Sequence, residues 1–276
     1  MKNTILTGLT ALLSYSITVA QAIHSPITFY YPSSGSYSKN FQDAFSLLSN
    51  VAASANFQNF QVGVYGEKKF MLAETSQYSA VISAPVYSGS FSLETDYFGF
   101  SDYAESQIGL GYALPASPQI DVGVKFNYYQ VRIPAYHNAS AVNFELGALL
   151  HINEQLHAGV SVYNPMNSPL GKNTGERIAS VYKTGIGYEW SSSFFTQLEI
   201  LKEKNKDADV HLAIQYKPLE QFFGRAGIYT ESSVTYFGLG YLYHRLRMDI
   251  CISLHQQLGL SPGLLLFYQF TRRSGK

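Results

Sequence analysis

Downstream of residue 59 the chain alternates between apolar and polar positions with few breaks. Leu246 to Gln257 is a clean instance: Leu246, Met248, Ile250, Ile252 and Leu254 are apolar, and Arg247, Asp249, Cys251, Ser253 and His255 stand between them. Successive side chains of a strand leave on opposite faces, so such a segment has one greasy face and one wet face. Ile120, Val122, Val124, Phe126 and Tyr128 repeat the pattern against Asp121, Gly123, Lys125 and Asn127. Val142, Phe144, Leu146, Ala148 and Leu150 repeat it against Asn143, Glu145 and Gly147, and Val210, Leu212, Ile214 and Tyr216 against Asp209, His211, Gln215 and Lys217. No helical period of useful length competes with this one in that region.

The pattern predicts about fourteen strands, near 59–66, 77–86, 89–98, 104–114, 119–131, 140–150 and 156–163. The rest fall near 178–190, 193–202, 207–217, 221–230, 233–243, 246–256 and 262–270. Almost every connection is of hairpin length, which predicts an antiparallel up-and-down meander. The connections near 66–77, 98–104, 131–140 and 163–178 read as long, and those at "YSG", "PASP", "INEQ" and "SSS" as tight. Long loops at one end and short turns at the other are the habit of outer-membrane barrels.

The wet faces decide which side is inside. They carry Glu94, Asp96, Asp121, Lys125, Glu145, Lys183, Glu199, Arg225, Arg247 and Asp249. Unpaired in a closed protein core, such charges would cost several kcal/mol each. The apolar faces are too extensive to be left to water. A transmembrane β-barrel in lipid resolves both problems, with apolar side chains outward and these ten residues lining a lumen. The expected fold class is therefore all-β, a transmembrane antiparallel up-and-down barrel, with both termini on the periplasmic side. Its surroundings are outer-membrane lipid.

Composition adds to this picture. There are 22 Tyr and 18 Phe but one Trp, and tyrosine suits a membrane interface, apolar at one end and wet at the other. Tyr129, Tyr163, Tyr229 and Phe267 fall on inward positions and should narrow any channel. The net charge is zero, which gives no basis for a nucleic-acid partner.

The first residues read as an export signal. Lys2 precedes a short apolar run from Ile5 to Val19, and Ala20-Gln21-Ala22 is a cleavage site of the A-x-A type. The run is short for a spanning helix of about 20 residues. A cleaved signal peptide over 1–22, a mature start at Ile23 and export to the bacterial outer membrane are the expectations. Residues 23–58 precede the barrel and contain Phe29, Tyr30, Tyr31, Phe41, Phe45 and Phe57, unlike a disordered tail. From Asp43 to Ala55 a helical stretch would place Phe45, Leu48, Ala52 and Ala55 on one small apolar face that needs a partner. This segment is expected to occupy or cap the periplasmic side of the lumen. The barrel then covers 59–270 and a tail 271–276.

The chemical motifs have structural readings. The Gly109/Gly111, Gly185/Gly187 and Gly238/Gly240 pairs open no helix after a strand, so they are not nucleotide loops. They fall on inward faces, where a missing side chain leaves room for lumen aromatics or a plug. His151, His157, His211, His244 and His255 lack the spacing of a metal site and read as solvated lumen residues. Cys251, the lone cysteine, reads as a small inert side chain on the polar face. Asn138-Ala139-Ser140 matches a glycosylation sequon in an expected outer loop and carries no weight. No Ser-His arrangement lies at a spacing one strand face could present, so no enzyme is expected. Ion pairing of Glu94, Glu145 and Glu199 with Lys125, Lys183 and Arg247 explains those charges. Neither a cofactor nor a metal is expected.

A signal peptide, the segment "DAFSLLSNVAASA" and fourteen strands together resemble the FadL-like barrels. These include long-chain fatty-acid and hydrocarbon transporters and the PorV/PorQ-type proteins of bacteria with type IX secretion. In that superfamily an Asn-Pro-Ala-Gly-like motif belongs to an N-terminal hatch. Here Asn50 and Ala52 match it, while Val51 stands for the proline and Ala53 for the glycine. "VYNPMNSPL" and Glu176 to Ile178 are similar to segments of the PorV/PorQ-like group, and "GLLLFYQF" resembles the aromatic-ended last strand of outer-membrane proteins, here followed by six residues, "TRRSGK". The resemblance implies passive passage of a hydrophobic small molecule. Its alternatives are a PorV/PorQ-like accessory of type IX secretion, whose partners would be secretion-system proteins, and a general diffusion porin.

Overall fold

The computed structural model describes residues 27–134, 137–171, 175–204 and 206–270. The expected signal peptide and the tail after Phe270 lie outside the described residues. The strands are β1 (Gln61–Lys68), β2 (Ser76–Val86), β3 (Gly89–Gly99), β4 (Ala104–Ser117), β5 (Ile120–Ile133), β6 (His137–His151) and β7 (Leu156–Tyr163). They continue as β8 (Val181–Glu189), β9 (Phe194–Glu203), β10 (Ala208–Tyr216), β11 (Phe222–Tyr229), β12 (Val234–Tyr243), β13 (Leu246–His255) and β14 (Gly259–Gln269). Each pairs antiparallel with its sequence neighbours, and β1 pairs with β14 from Gln61↔Gln269 to Glu67↔Gly263. The sheet closes, so no strand edge is left to meet lipid.

Alternation and burial agree strand by strand. On β13, Ile250 is 69% exposed on the outside while its neighbour Asp249 is fully buried inside. Ile108, Leu110, Phe126, Val142 and Leu239 are likewise exposed on the outer wall. Greasy is outside.

The connections differ from expectation in their rhythm. Among the described residues, Lys69–Thr75 and the run between Tyr163 and Val181 are the substantial connections at their end of the barrel. The expected long connection at 131–140 is instead strand, because β5 and β6 stay paired up to Ile133↔His137. The Asn138-Ala139-Ser140 sequon consequently sits in β6 rather than in a loop. β8 starts later than its pattern suggested, since Ile178 and Ala179 are buried on both sides of the alternation within the connecting loop. We call the end carrying Lys69–Thr75 the loop end and the opposite one the turn end.

Residues 27–58 run through the lumen. The expected helix from Asp43 to Ala55 is two short 3-10 turns, Ala44–Leu48 and Val51–Ser54. Asn50 breaks it: its backbone is extended and its side chain accepts from Ala52 N at 3.0 Å, capping the second turn. A short polar side chain that bonds its own backbone competes with helix continuation in this way. Asp43 caps the first turn with Ser46 in a reciprocal capping box. Phe29, Tyr31, Phe45 and Leu47 pack against Tyr65, Val81, Tyr236, Leu265 and Phe267 of the wall.

Inward glycines make this docking possible. A Cβ on Gly187 would lie 1.8 Å from the Tyr37 carbonyl oxygen, and one on Gly238 would lie 2.1 Å from the Tyr31 ring. Gly185 faces the Tyr37 ring and Gly63 the Phe45 ring in the same manner. The path places the two ends of the segment at opposite ends of the barrel. At Thr28 the backbone carbonyl accepts from Lys69 in the loop-end connection, whereas Asn56 binds Asp121 beside the turn end.

One wall substitution tests inside against outside. Leu239 is central in β12 and 75% exposed, so Leu239→Arg should cost about 2–4 kcal/mol in lipid. Urea titration of the refolded barrel in bilayers measures it. A loss under about 1 kcal/mol, typical of interfacial rather than midplane sites, would contradict the orientation.

Candidate functional site: the lumen and the segment inside it

The interior is a set of polar anchors between the segment and the wall. Asp43 is the most connected. Its Oδ2 accepts from Arg225 Nη2 and Arg247 Nη1, both at 2.8 Å, and its Oδ1 from Phe45 N at 2.9 Å. Arg247 Nε also lies 3.1 Å from Asp249 Oδ1, and Tyr31 donates to Asp249 Oδ2 at 3.3 Å. The Arg247 guanidinium lies between the rings of Phe223 and Phe267, at 5.0 and 4.9 Å. Burial opposes ionisation of Asp43, but Arg247 and Arg225 outweigh it and hold the carboxyl below the ordinary aspartate range.

Glu199 forms a second anchor. It accepts from Tyr37 OH at 2.8 Å and from Ser49 Oγ, and His211 Nδ1 lies 3.7 Å from its other oxygen. Burial, and then the adjacent Glu199, push the Tyr37 hydroxyl well up, so it remains a donor. His211 stacks on Tyr229 at 4.0 Å, and its Nε2 pairs with Tyr236 OH at 2.9 Å.

At the turn end Glu189 accepts from Ser38 Oγ and Lys39 N, both at 2.6 Å, and from Asn40 N at 3.2 Å. His157 Nε2 lies 3.4 Å from Glu189, the Nδ1 atoms of His157 and His151 face each other at 3.0 Å, and His151 Nε2 meets Asp121 at 2.7 Å. Asn56 donates to that same Asp121 oxygen at 2.7 Å. The expectation of solvated histidines fails for these and for His211: all three are buried, because the segment displaces water from the lumen. Among the described residues no group of three or more His, Cys, Asp or Glu side chains could hold a metal ion.

The ten wall charges all point inward, and they form several clusters rather than one. Lys125 joins Glu94 and Glu145 at 2.8 and 2.9 Å, with Asp96 beside Glu94 on the same face. Arg225, Arg247 and Asp249 surround Asp43, and Asp121 and Glu199 hold the segment as described. Lys183, expected in an ion pair, instead donates to the carbonyls of Leu48 and Ser49 at 3.1 and 3.4 Å, where the first 3-10 turn ends. Of the hatch residues, Asn50 Nδ2 donates to the wall carbonyls of Ala148 and Val160 at 3.2 and 3.1 Å. Ala52 is buried against Gly123 and Gly147, which leave space for its backbone. Cys251 is buried and donates weakly to Tyr65 OH at 3.6 Å.

Asp43, Tyr37 and Glu189 were not picked out from the sequence. Glu189 could have been, since strand parity places it inside. Nothing in the sequence links Asp43 to Arg225 and Arg247, which lie far downstream of it.

Two cavities lie on the loop-end side of the segment. One, of about 80 Å³, lies among Phe29, Leu48, Lys125, Tyr163, Lys183 and Glu199. The other, of about 450 Å³, opens at the mouth. Outside, where β14, β1 and β2 meet, Gly66, Ala80 and Pro262 leave a hollow of about 830 Å³ in the lipid-facing wall.

No family model matches the chain, and no curated protein matches it by sequence. Its fold is that of solved FadL-like channels. The TodX monoaromatic hydrocarbon channel, as a deltaS2 mutant, superposes with a TM-score of 0.62 and 10% identity over 82% of this chain and 94% of that one. The Ralstonia pickettii toluene transporter TbuX gives 0.61 and 8% over 85% and 95%, and a Pseudomonas aeruginosa FadL homologue 0.54 and 12% over 86% and 96%. At such identities the shared property is the fold.

Asp43→Asn tests the central anchor. Removing one partner of a buried ion pair costs about 3–5 kcal/mol, so residues 27–58 should become accessible to protease while the barrel still migrates as a folded band. In the native chain Asp43 contributes fully above the ordinary aspartate pKa, and that contribution is lost only as pH falls through the depressed one. Protection of the segment should therefore persist through mild acid. Release already at the ordinary aspartate pKa would contradict the arrangement.

Proposed function

We propose that this FadL-like barrel passes a small, largely apolar molecule across the bacterial outer membrane, with residues 27–58 as the element that must shift to open the path. In this reading residues 1–22 are the export signal, the turn end is periplasmic and the loop end faces outside. One observation carries it. The lumen is closed by the chain's own N-terminal segment, held to the wall by side chains rather than by the backbone ladder, and the voids lie outward of it. Such a plug can move without opening the sheet. Ile27, Phe29, Leu48 and Leu201 give the voids apolar walls, and the toluene transporters of the same fold support a hydrophobic cargo.

The expected general porin finds little support, because a lumen filled with Tyr31, Tyr37, Phe41 and Phe45 leaves no wide aqueous path. The PorV/PorQ-like accessory role draws on a different observation. Asp43 with Arg225 and Arg247 makes the segment costly to move, which suits a permanently closed scaffold docking secretion-system proteins.

Planar-bilayer current and proteoliposome uptake separate these readings. The full chain should be silent to ions yet admit toluene, and a variant lacking 27–58 should leak small solutes. Silence without toluene entry, together with retention of secretion-system proteins from native membranes, would favour the scaffold. A large resting current would favour the pore.

A further inference from the structure

The 450 Å³ cavity at the loop end has a composition that suits one class of guest. Its lining holds five carboxylates, Glu105, Glu203, Asp207, Asp209 and Glu231, against the ammonium groups of Lys69 and Lys206. An anionic guest meets like charge there, and a cationic one is drawn in.

Two independent features point from a cation to an amine. An ammonium is already seated in the cavity. Lys69 Nζ lies 5.5 Å from the ring centroid of Tyr30 and 5.9 Å from that of Phe98, and it donates to the Thr28 carbonyl at 3.4 Å. Ring faces at this range attract a cation. Gln77, fully buried, also lines the cavity. Its Nε2 donates to the Thr28 carbonyl at 3.2 Å and to Glu67 at 3.1 Å, while its Oε1 accepts from nothing. A buried amide oxygen in that position calls for an N–H from whatever enters.

The loop that delivers Lys69 is under strain. Phe70 and Met71 follow it with φ of 55° and 61°, a left-handed backbone that side chains of their size rarely adopt. Burial pushes the Lys69 pKa down against the opposing pull of Glu67 and Glu105. Lys69 is thus a weakly held occupant on a loop whose relaxation would withdraw it.

We propose that this cavity binds a primary amine carried on an apolar body, and that Lys69 is the chain's own stand-in, displaced when such a ligand arrives. The ligand's ammonium would take the Thr28 carbonyl, Gln77 Oε1 and the faces of Tyr30 and Phe98, and its body would lie against Ile27 and Leu201. This deepens the transport reading above and rests on it for the ligand's onward path.

Calorimetry on the full chain in detergent, with 2-phenylethylamine and 3-phenylpropionate as probes, tests it. The two share a ring and differ in charge. The amine should bind at least about tenfold tighter, a difference of one decade in Kd. Gln77→Leu should weaken the amine several-fold, and Lys69→Met, which keeps the aliphatic stem without its charge, should tighten it. Heat-dependent gel migration checks that each variant is a folded barrel. Equal or tighter binding of the propionate, no binding of either probe, or a Lys69→Met variant no better for the amine would overturn the site. Entry of uncharged ethylbenzene into proteoliposomes reports separately on passage. If ethylbenzene enters while the amine is not preferred, only the amine site fails; if it does not enter, the transport reading fails.

Discussion

The interior of this barrel depends on one carboxylate shared by two guanidiniums. Asp43 belongs to the segment, Arg225 and Arg247 to strands β11 and β13, and all three are buried. A lone arginine inside a lumen sealed from water would be costly, and two side by side would repel. The segment's carboxylate resolves both costs, and the rings of Phe223, Phe267 and Tyr31 complete the enclosure. Asp43 also caps the first 3-10 turn, so the ion pair and the local shape of the segment are fixed by the same side chain.

The rest of the interior repeats that logic more gently. Glu199 gathers Tyr37 and Ser49, Glu189 gathers the turn at Ser38 to Asn40, and Asp121 takes Asn56. In each case a wall acid meets a segment donor. Among the wall's cations, Lys125 pairs with the wall acids Glu94 and Glu145 instead of with the segment. Much of a wet face that would be hydrated in an open barrel is here partnered by the chain itself.

The strands were legible in the sequence because a period of two is a local signal, enforced at each residue by the contrast between lipid and lumen. Fourteen were expected and fourteen close the sheet, with ends differing by a few residues where Ile178 or Pro262 blurs the alternation. Loop lengths were less legible, since β5 and β6 continue pairing through residues whose composition suggested a loop. The helix expected from Asp43 to Ala55 gives way to two 3-10 turns for a comparable reason. Its apolar spacing is helical, but Asn50 turns its side chain onto its own backbone, and Gly123 and Gly147 let the chain lie flat against the wall. The partners of each inward charge were not legible, because they are set by the segment's path across the lumen.

That path has a consequence for assembly. The segment enters β1 from the turn end, and its Tyr31 and Tyr37 rings rest where Gly238 and Gly185 carry no side chain, deep within the ring of strands. Once β1 has zipped to β14, bulky rings on a chain that must reach the opposite mouth have little room to thread past Tyr129, Tyr163 and Tyr229. The strands would instead curl around the segment and meet behind it. In the full chain the segment then acts as a mandrel for the cylinder as it rolls up, and residues 27–58 help set the circumference that the last strand must close.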